Sequence, residues 1–207
     1  MNFNMKPIHQ LLCLGDSYTI GEGAPLYDSF PYQLMQLLRQ MQIHCNAPEI
    51  IAQTGWTSFE LAEYLIHHPF STNYDFVTLL IGVNNQYRNS DIIEFENDYQ
   101  FLLQKAIHYT GNQPGKVMGI AIPDWGYSPF AARKHATNIE KIHKEIDTLN
   151  VICEALCNKA GVHFINIANL TKYIVEEGYF TDDGLHYTAT MYRQWAQMIA
   201  ALIKKLQ

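Results

Sequence analysis

No stretch of this sequence can span a bilayer; the roughly eighteen consecutive apolar residues that a spanning helix needs occur nowhere. Basic clusters are missing too. Fourteen Lys and Arg stand against twenty Asp and Glu, for a net charge of −6, and no run of five like charges occurs. That excludes a surface built for nucleic-acid phosphates and a charged interaction tail. The N-terminal apolar run, Leu11–Leu14, is short, lacks a small-residue cleavage site and leads straight into a polar loop. No signal peptide is expected, and the chain is expected to start near Met1 and stay in the cytoplasm.

Neither Gly-x-Gly-x-x-Gly nor Gly-x-x-x-x-Gly-Lys appears, so the usual glycine-rich nucleotide cradles have no basis here. Cysteine is scarce. Cys13 and Cys45 fall in predicted strands, while Cys153 and Cys157 sit four apart on a predicted helix. With no second Cys or His pair at zinc-like spacing, all four read as core side chains. Of the nine histidines, eight form no constellation; His67-His68 ends a helix ahead of Pro69, where a cation suits the dipole. No metal and no cofactor is expected. Pro/Gly/Ser linkers, repeats and low-complexity tracts are absent, so residues 1–207 are expected to form one domain with a sizeable core.

Five apolar runs read as strands: Gln10–Leu14, Glu49–Gln53, Phe76–Ile81, Lys116–Ile122 and His163–Ile167. They do not alternate polar with apolar, which suits strands buried on both faces of a parallel sheet. Helical periods lie between them. Pro31–Gln42 carries Leu34, Leu37, Leu38 and Met41 on one stripe, behind a first-turn proline. Thr57 and Glu60 make a capping box ahead of Ser58–His67. Asp91–Tyr109 is a third helix, and a long amphipathic helix is predicted from about Ala131 to Lys159, ended by Gly161. Thr188–Leu206 is the last, with Thr188 as a candidate N-cap and Met191, Trp195, Met198, Ile199, Leu202 and Leu206 on one face. Regular strand–helix alternation predicts a three-layer α/β/α architecture around a doubly wound parallel sheet.

The first strand stops at Gly15-Asp16-Ser17, and the loop closes with Gly21 and Gly23. In an open α/β sheet, ligands collect at the C-terminal ends of the strands, so the strand-to-helix loops are spatial neighbours. Ser17 follows the first strand, Thr54-Gly55-Trp56 the second, and Gly82-Val83-Asn84-Asn85-Gln86-Tyr87-Arg88 the third. Pro123-Asp124-Trp125-Gly126-Tyr127 follows the fourth, and Thr181-Asp182-Asp183-Gly184-Leu185-His186 comes after the fifth.

These loops hold the parts of an acyl-transfer site. Ser17 supplies a nucleophile and His186 a base. Asp183, three residues earlier across a Gly-containing turn, can hold the other ring nitrogen, with Asp182 as a rival. The backbone N–H groups of Ser17 and Gly55 and the side-chain amide of Asn84 are natural donors to an oxyanion, with Asn85 as the fallback. Asp16 reads as a loop-shaping residue.

With these residues in order, the sequence resembles the GDSL or SGNH hydrolase superfamily. Four blocks match: Gly15-Asp16-Ser17, Gly55, Gly82-Val83-Asn84 and Asp183-Gly184-Leu185-His186. The resemblance implies a flavodoxin-like sheet of order 2-1-3-4-5 and Ser-His-Asp esterase chemistry. It implies Ser17 as nucleophile and oxyanion donor, Gly55 and Asn84 as further donors, and Asp183 and His186 as the other triad members. Tyr18 replaces the leucine of the family name, Asn85 stands where many members carry aspartate, and Tyr187-Thr188 replaces a frequent Pro-Ser.

Tyr18, Trp56, Tyr87, Trp125, Tyr127 and Phe130 all fall at this edge and are candidates to line a pocket; Arg88 is a candidate for meeting an anionic substrate group. The leading expectation is a serine esterase or acylhydrolase for a small-to-medium acyl ester. Acetylated carbohydrates, lysophospholipids and thioesters are all compatible. An acyltransferase using the same site, a flavodoxin-like phosphate- or cofactor-binding module and a catalytically inert interaction protein are the alternatives at this stage.

Overall fold

A computed structural model describes residues 7–71, 73–134, 136–172 and 177–207. Five parallel strands form one sheet: β1 (Leu11–Gly15), β2 (Glu49–Ala52), β3 (Phe76–Leu80), β4 (Val117–Ile120) and β5 (His163–Ile165). Their spatial order is β2-β1-β3-β4-β5, the flavodoxin-like order expected above. The inner strands β1, β3 and β4 are buried along their whole length, which is why they carry unbroken apolar runs instead of an alternating pattern.

Helices cover both faces. On one, α2 (Phe30–Gln40) packs against α9 (Ala189–Leu206); on the other, α3 (Ser58–His67), α5 (Ile92–Tyr109) and α7 (Ile139–Ala160) lie side by side. The capping box at α3 is formed in full: the Glu60 carboxylate accepts from the Thr57 N–H at 2.8 Å, and the Thr57 hydroxyl accepts from the Glu60 N–H. Cys13, Cys153 and Cys157 are buried core residues, with Cys157 Sγ 3.8 Å from the Tyr99 hydroxyl. Among the described residues, no helix is long and apolar enough to cross a membrane.

Several local expectations need correction. Cys45 lies in no strand; it makes a single parallel bridge with His9 and is buried there. The helix predicted from Ala131 to Lys159 is two helices, α6 (Pro129–Lys134) and α7, with a tight turn Ala136–Asn138 before α7; His135 lies outside the described residues. The apolar stripe Ile142, Ile146, Leu149, Cys153 and Leu156 is buried along α7, while Phe130 of α6 lines a different surface, and one straight rod cannot serve both. In α9 the stripe is narrower than expected, since Met198 and Leu206 are exposed. Thr188 occupies the N-cap position of α9, but its hydroxyl donates to the Gly178 carbonyl instead. Two short helices, α1 (Ser17–Ile20) and α4 (Val83–Tyr87), replace what the sequence pattern leaves as loop; a further short one, α8 (Ala168–Thr171), follows β5.

The register positions the site. Gly15, at the end of β1, is level with Ala52 of β2 on one side and Leu80 of β3 on the other. The three following loops therefore leave the sheet at one height along one rim. A Cβ on Gly15 would run into the Leu80 carbonyl and the Thr19 side chain. Glycine there lets β1, β3 and α1 close up directly beneath Ser17.

Candidate active site

Asp16 and Ser17 sit where β1 gives way to α1. Asp16 is the N-cap, its carboxylate accepting from the Tyr18 N–H at 3.0 Å. Burial pushes the Asp16 carboxyl up to about 7, against the opposing pull of that N–H. Ser17 is thereby the first helical residue and not the cap.

From the far end of the chain, the loop before α9 brings His186 to the same spot. His186 Nε2 lies 2.8 Å from Ser17 Oγ, across 169 residues of sequence. Its other ring nitrogen, Nδ1, lies 2.6 Å from Asp183 Oδ2. The second Asp183 oxygen accepts from the N–H groups of Leu185 and His186, at 2.7 and 3.0 Å, and from the Thr181 hydroxyl at 2.9 Å. Burial acts to raise the Asp183 carboxyl, but the hydrogen bond from His186, the two N–H groups and Thr181 outweigh it and hold it down at about 2. A carboxylate that stays ionised is an acceptor only, so the proton of the pair belongs on His186 Nδ1. Nε2 is then left as the acceptor facing the serine hydroxyl. Asp183, not Asp182, is the acid in contact with the imidazole.

Gly55 comes to the rim at the end of β2 with a φ of +82°, a backbone conformation that glycine adopts without strain. Among the described residues its N–H has no acceptor. Asn84, in α4, donates one amide hydrogen to the Trp56 carbonyl at 2.9 Å and keeps a second. Asn85, the neighbour that departs from the family pattern, bridges to Ser58 at the head of α3. Its Oδ1 accepts from the Ser58 N–H at 2.9 Å and its Nδ2 donates to Ser58 Oγ at 2.8 Å. Ser58 Oγ donates onward to Asp98 Oδ2 at 2.9 Å. An aspartate at position 85 would be a second acceptor in that chain; the amide, which both donates and accepts, completes it.

A cavity of about 250 Å³ opens at this point, lined by Ser17, Tyr18, Thr54, Gly55, Val83, Asn84, Tyr87, Trp125, Phe130, Leu185 and His186. Of the aromatics expected at this edge, Tyr18, Tyr87, Trp125 and Phe130 line it. Trp125 is fixed by its indole N–H, which donates to Gln86 Oε1 at 2.6 Å, while Gln86 Nε2 donates to Glu145 at 2.9 Å. Tyr87 meets the Trp125 ring edge-on, with centroids 5.6 Å apart.

Trp56, Tyr127 and Arg88 do not line the cavity. The Trp56 ring packs on Tyr64 of α3 at 5.0 Å, and that of Tyr127 on His143 of α7 at 4.2 Å. Arg88 turns away to Glu60 and to the Gly55 carbonyl. Thr54, Val83 and Leu185 line the cavity as well, each carried there by its chain neighbour Gly55, Asn84 or His186. A separate hollow of about 220 Å³, bordered by Asn85, Gln86, Phe95 and Glu145, holds neither Ser17 nor His186.

Comparison with known proteins identifies the family and the fold. No curated protein matches the sequence significantly. Among solved structures, a lipase from a goat rumen metagenome shares 19% identity at a TM-score of 0.73, with 94% of this chain and 97% of that one covered. A psychrotrophic esterase from a Pseudoalteromonas species shares 15% at 0.68, covering 96% and 98%. An acetyl xylan esterase from Geobacillus stearothermophilus shares 15% at 0.69, covering 96% and 97%. Identities this low establish the shared fold. The sequence itself matches the GDSL-like Lipase/Acylhydrolase family over residues 13–194, nearly the whole chain. The chain belongs to the GDSL-like lipase/acylhydrolase family and is an ester hydrolase of the serine type.

Proposed function

We propose that this protein is a single-domain esterase that cleaves a small-to-medium, uncharged acyl ester through an acyl-enzyme on Ser17. One observation carries the reading: Ser17 Oγ, His186 and Asp183 are linked by contacts of 2.8 and 2.6 Å, and Ser17 and His186 line a cavity. His186 Nε2 takes the Ser17 proton as Oγ bonds to the ester carbonyl carbon. The N–H groups of Ser17 and Gly55 and the free amide hydrogen of Asn84 hold the resulting oxyanion. When the tetrahedral adduct collapses, the bond to the alcohol oxygen breaks and His186 gives that oxygen its proton. Water then repeats the sequence on the acyl-serine and releases the acid, with Asp183 holding the imidazole throughout.

The cavity supports the substrate class. At about 250 Å³ it falls just below the range of roughly 300–1,000 Å³ that holds drug-sized ligands, which favours a short acyl group. Its walls are Val83, Tyr87, Trp125, Phe130 and Leu185, with no Lys or Arg among the lining residues. An ester that carries its charge next to the scissile bond has no partner there.

Hydrolysis of p-nitrophenyl acetate by the wild type and its loss in a folded Ser17→Ala variant is the expected result; full activity in that variant refutes the assignment. The Pseudoalteromonas esterase has been captured inhibited by monoethylphosphonate. The same class of reagent is expected to add one phosphonyl group to wild-type protein and none to Ser17→Ala, read by intact mass.

A further inference from the structure

We infer that Arg88 is a positioning residue, fixing the backbone segment that presents the Gly55 N–H to the oxyanion. The inference rests on the reading of the site given above and adds to it a side chain that does not itself line the cavity but bonds to Gly55, which does.

Gly55 needs such a device. Without a Cβ it has wide backbone freedom, which its φ of +82° uses, yet an oxyanion donor must be held in place before the substrate arrives. Arg88 Nη2 donates to the Gly55 carbonyl at 2.6 Å. Its other terminal nitrogen, Nη1, reaches both carboxylate oxygens of Glu60, at 3.1 and 3.2 Å. Glu60 in turn accepts from the Thr57 N–H at 2.8 Å, two residues beyond Gly55. One planar fork therefore ties the loop to the head of α3 through a charge-assisted bond on each side.

The placement in sequence reinforces this. Arg88 is the C-cap of α4, one turn after Asn84, and its N–H donates to the Asn84 carbonyl at 3.0 Å. The two side chains take consecutive carbonyls of the loop, Gly55 for Arg88 and Trp56 for Asn84. At the loop's other end, the Thr54 hydroxyl donates to the Glu22 carboxylate. Both proposed donors beyond Ser17, the Gly55 N–H and the Asn84 amide, are thus referenced to a single short helix.

Stability gives a weak account of the same contacts. The Arg88 and Glu60 side chains are 49% and 37% exposed, and ion pairs that open to solvent contribute about 0–1 kcal/mol to folding. Geometry at the reacting centre is far more sensitive, since a displacement of about 1 Å costs roughly 10²-fold in rate.

The test compares wild type, Arg88→Ala, Arg88→Lys and Ser17→Ala on p-nitrophenyl acetate, with phenylboronic acid as a tetrahedral-adduct probe and thermal melts in parallel. Arg88→Ala is expected to lower kcat by about 10- to 100-fold while KM stays within about twofold and the melting temperature moves little. The boronate inhibition constant is expected to rise by the same factor as kcat falls, a correspondence that a general loosening of the fold does not produce. Arg88→Lys is expected to recover little, because an ammonium lacks the planar fork. Unchanged kcat in Arg88→Ala, or a loss confined to KM, overturns the positioning role while leaving the triad intact. Full activity in Ser17→Ala overturns the reading beneath it.

Discussion

Asn84 and Asn85 are consecutive residues of α4 with separate tasks. Asn84 lines the cavity and holds the Trp56 carbonyl, whereas Asn85 is buried against Ser58, making one bond to its N–H and another to its hydroxyl. Neighbours on a helix point about 100° apart, so one short turn faces the cavity with one amide and packs against α3 with the next.

Their truncations should therefore separate. Asn84→Ala is expected to lower kcat for p-nitrophenyl acetate by roughly 10²–10³-fold, the usual effect of removing one oxyanion donor. Asn85→Ala leaves a buried N–H and hydroxyl short of partners and is expected to cost about 1–3 kcal/mol in urea denaturation. The reverse pattern, with kcat collapsing only in Asn85→Ala, would exchange the two roles.

Asp183→Asn keeps the shape of the loop but puts an amide where His186 Nδ1 now meets a carboxylate oxygen. The imidazole is then drawn to the wrong tautomer, and kcat is expected to drop by about 10²–10⁴-fold. Steady-state kinetics near neutral pH measure this. A loss under tenfold would hand the orienting role to another group. Because the wild-type carboxyl sits at about 2, its own titration lies well below any mildly acidic fall in activity.

The buried Asp16 leaves a signature in stability. Burial raises its carboxyl from 3.8 to about 7. Between those values the folded protein holds a proton that the unfolded chain has released. Folding stability from this group is therefore complete below about pH 4 and declines as pH rises toward 7, on the order of a few kcal/mol across the window. Asp16→Asn mimics the protonated acid and can keep the cap. Urea melts at intervals from pH 4.5 to about 8 should show a flatter profile in the variant; an unchanged slope would place the titration elsewhere.

Gln86 links the cavity wall to α7 through Trp125 on one side and Glu145 on the other. Gln86→Leu has similar bulk but abandons both partners. A loss of about 1–3 kcal/mol is expected, together with a changed ratio of kcat/KM between acetyl and longer acyl esters as Trp125 loses its anchor. An unaltered chain-length profile would mean that ring contacts such as those with Tyr87 and Phe130 suffice to hold the indole in place.

Much of this was legible along the chain. The five strands announce themselves because burial on both faces demands unbroken apolar runs such as Leu11–Leu14 and Phe76–Leu80. The head of α3 is legible because its capping box is a local contact over three residues. Asp183 and His186 are read as a pair for the same reason, since one turn of chain suffices to join them. The short helices α1 and α4 escape because four or five residues are too few to show a helical period.

What the sequence determined alone was therefore the alternation of elements, the rim on which the polar loops gather and the identity of the residues carried there. The directions of the side chains were decided by tertiary packing. Arg88, Trp56 and Tyr127 stand in the same loops as the residues that line the cavity, yet each meets a partner on a helix outside its loop: Glu60 and Tyr64 of α3 and His143 of α7. A loop position specifies which rim a residue reaches. Which way its side chain faces depends on the competition among neighbours for its charge, ring or amide, and those neighbours are assembled only when the chain folds.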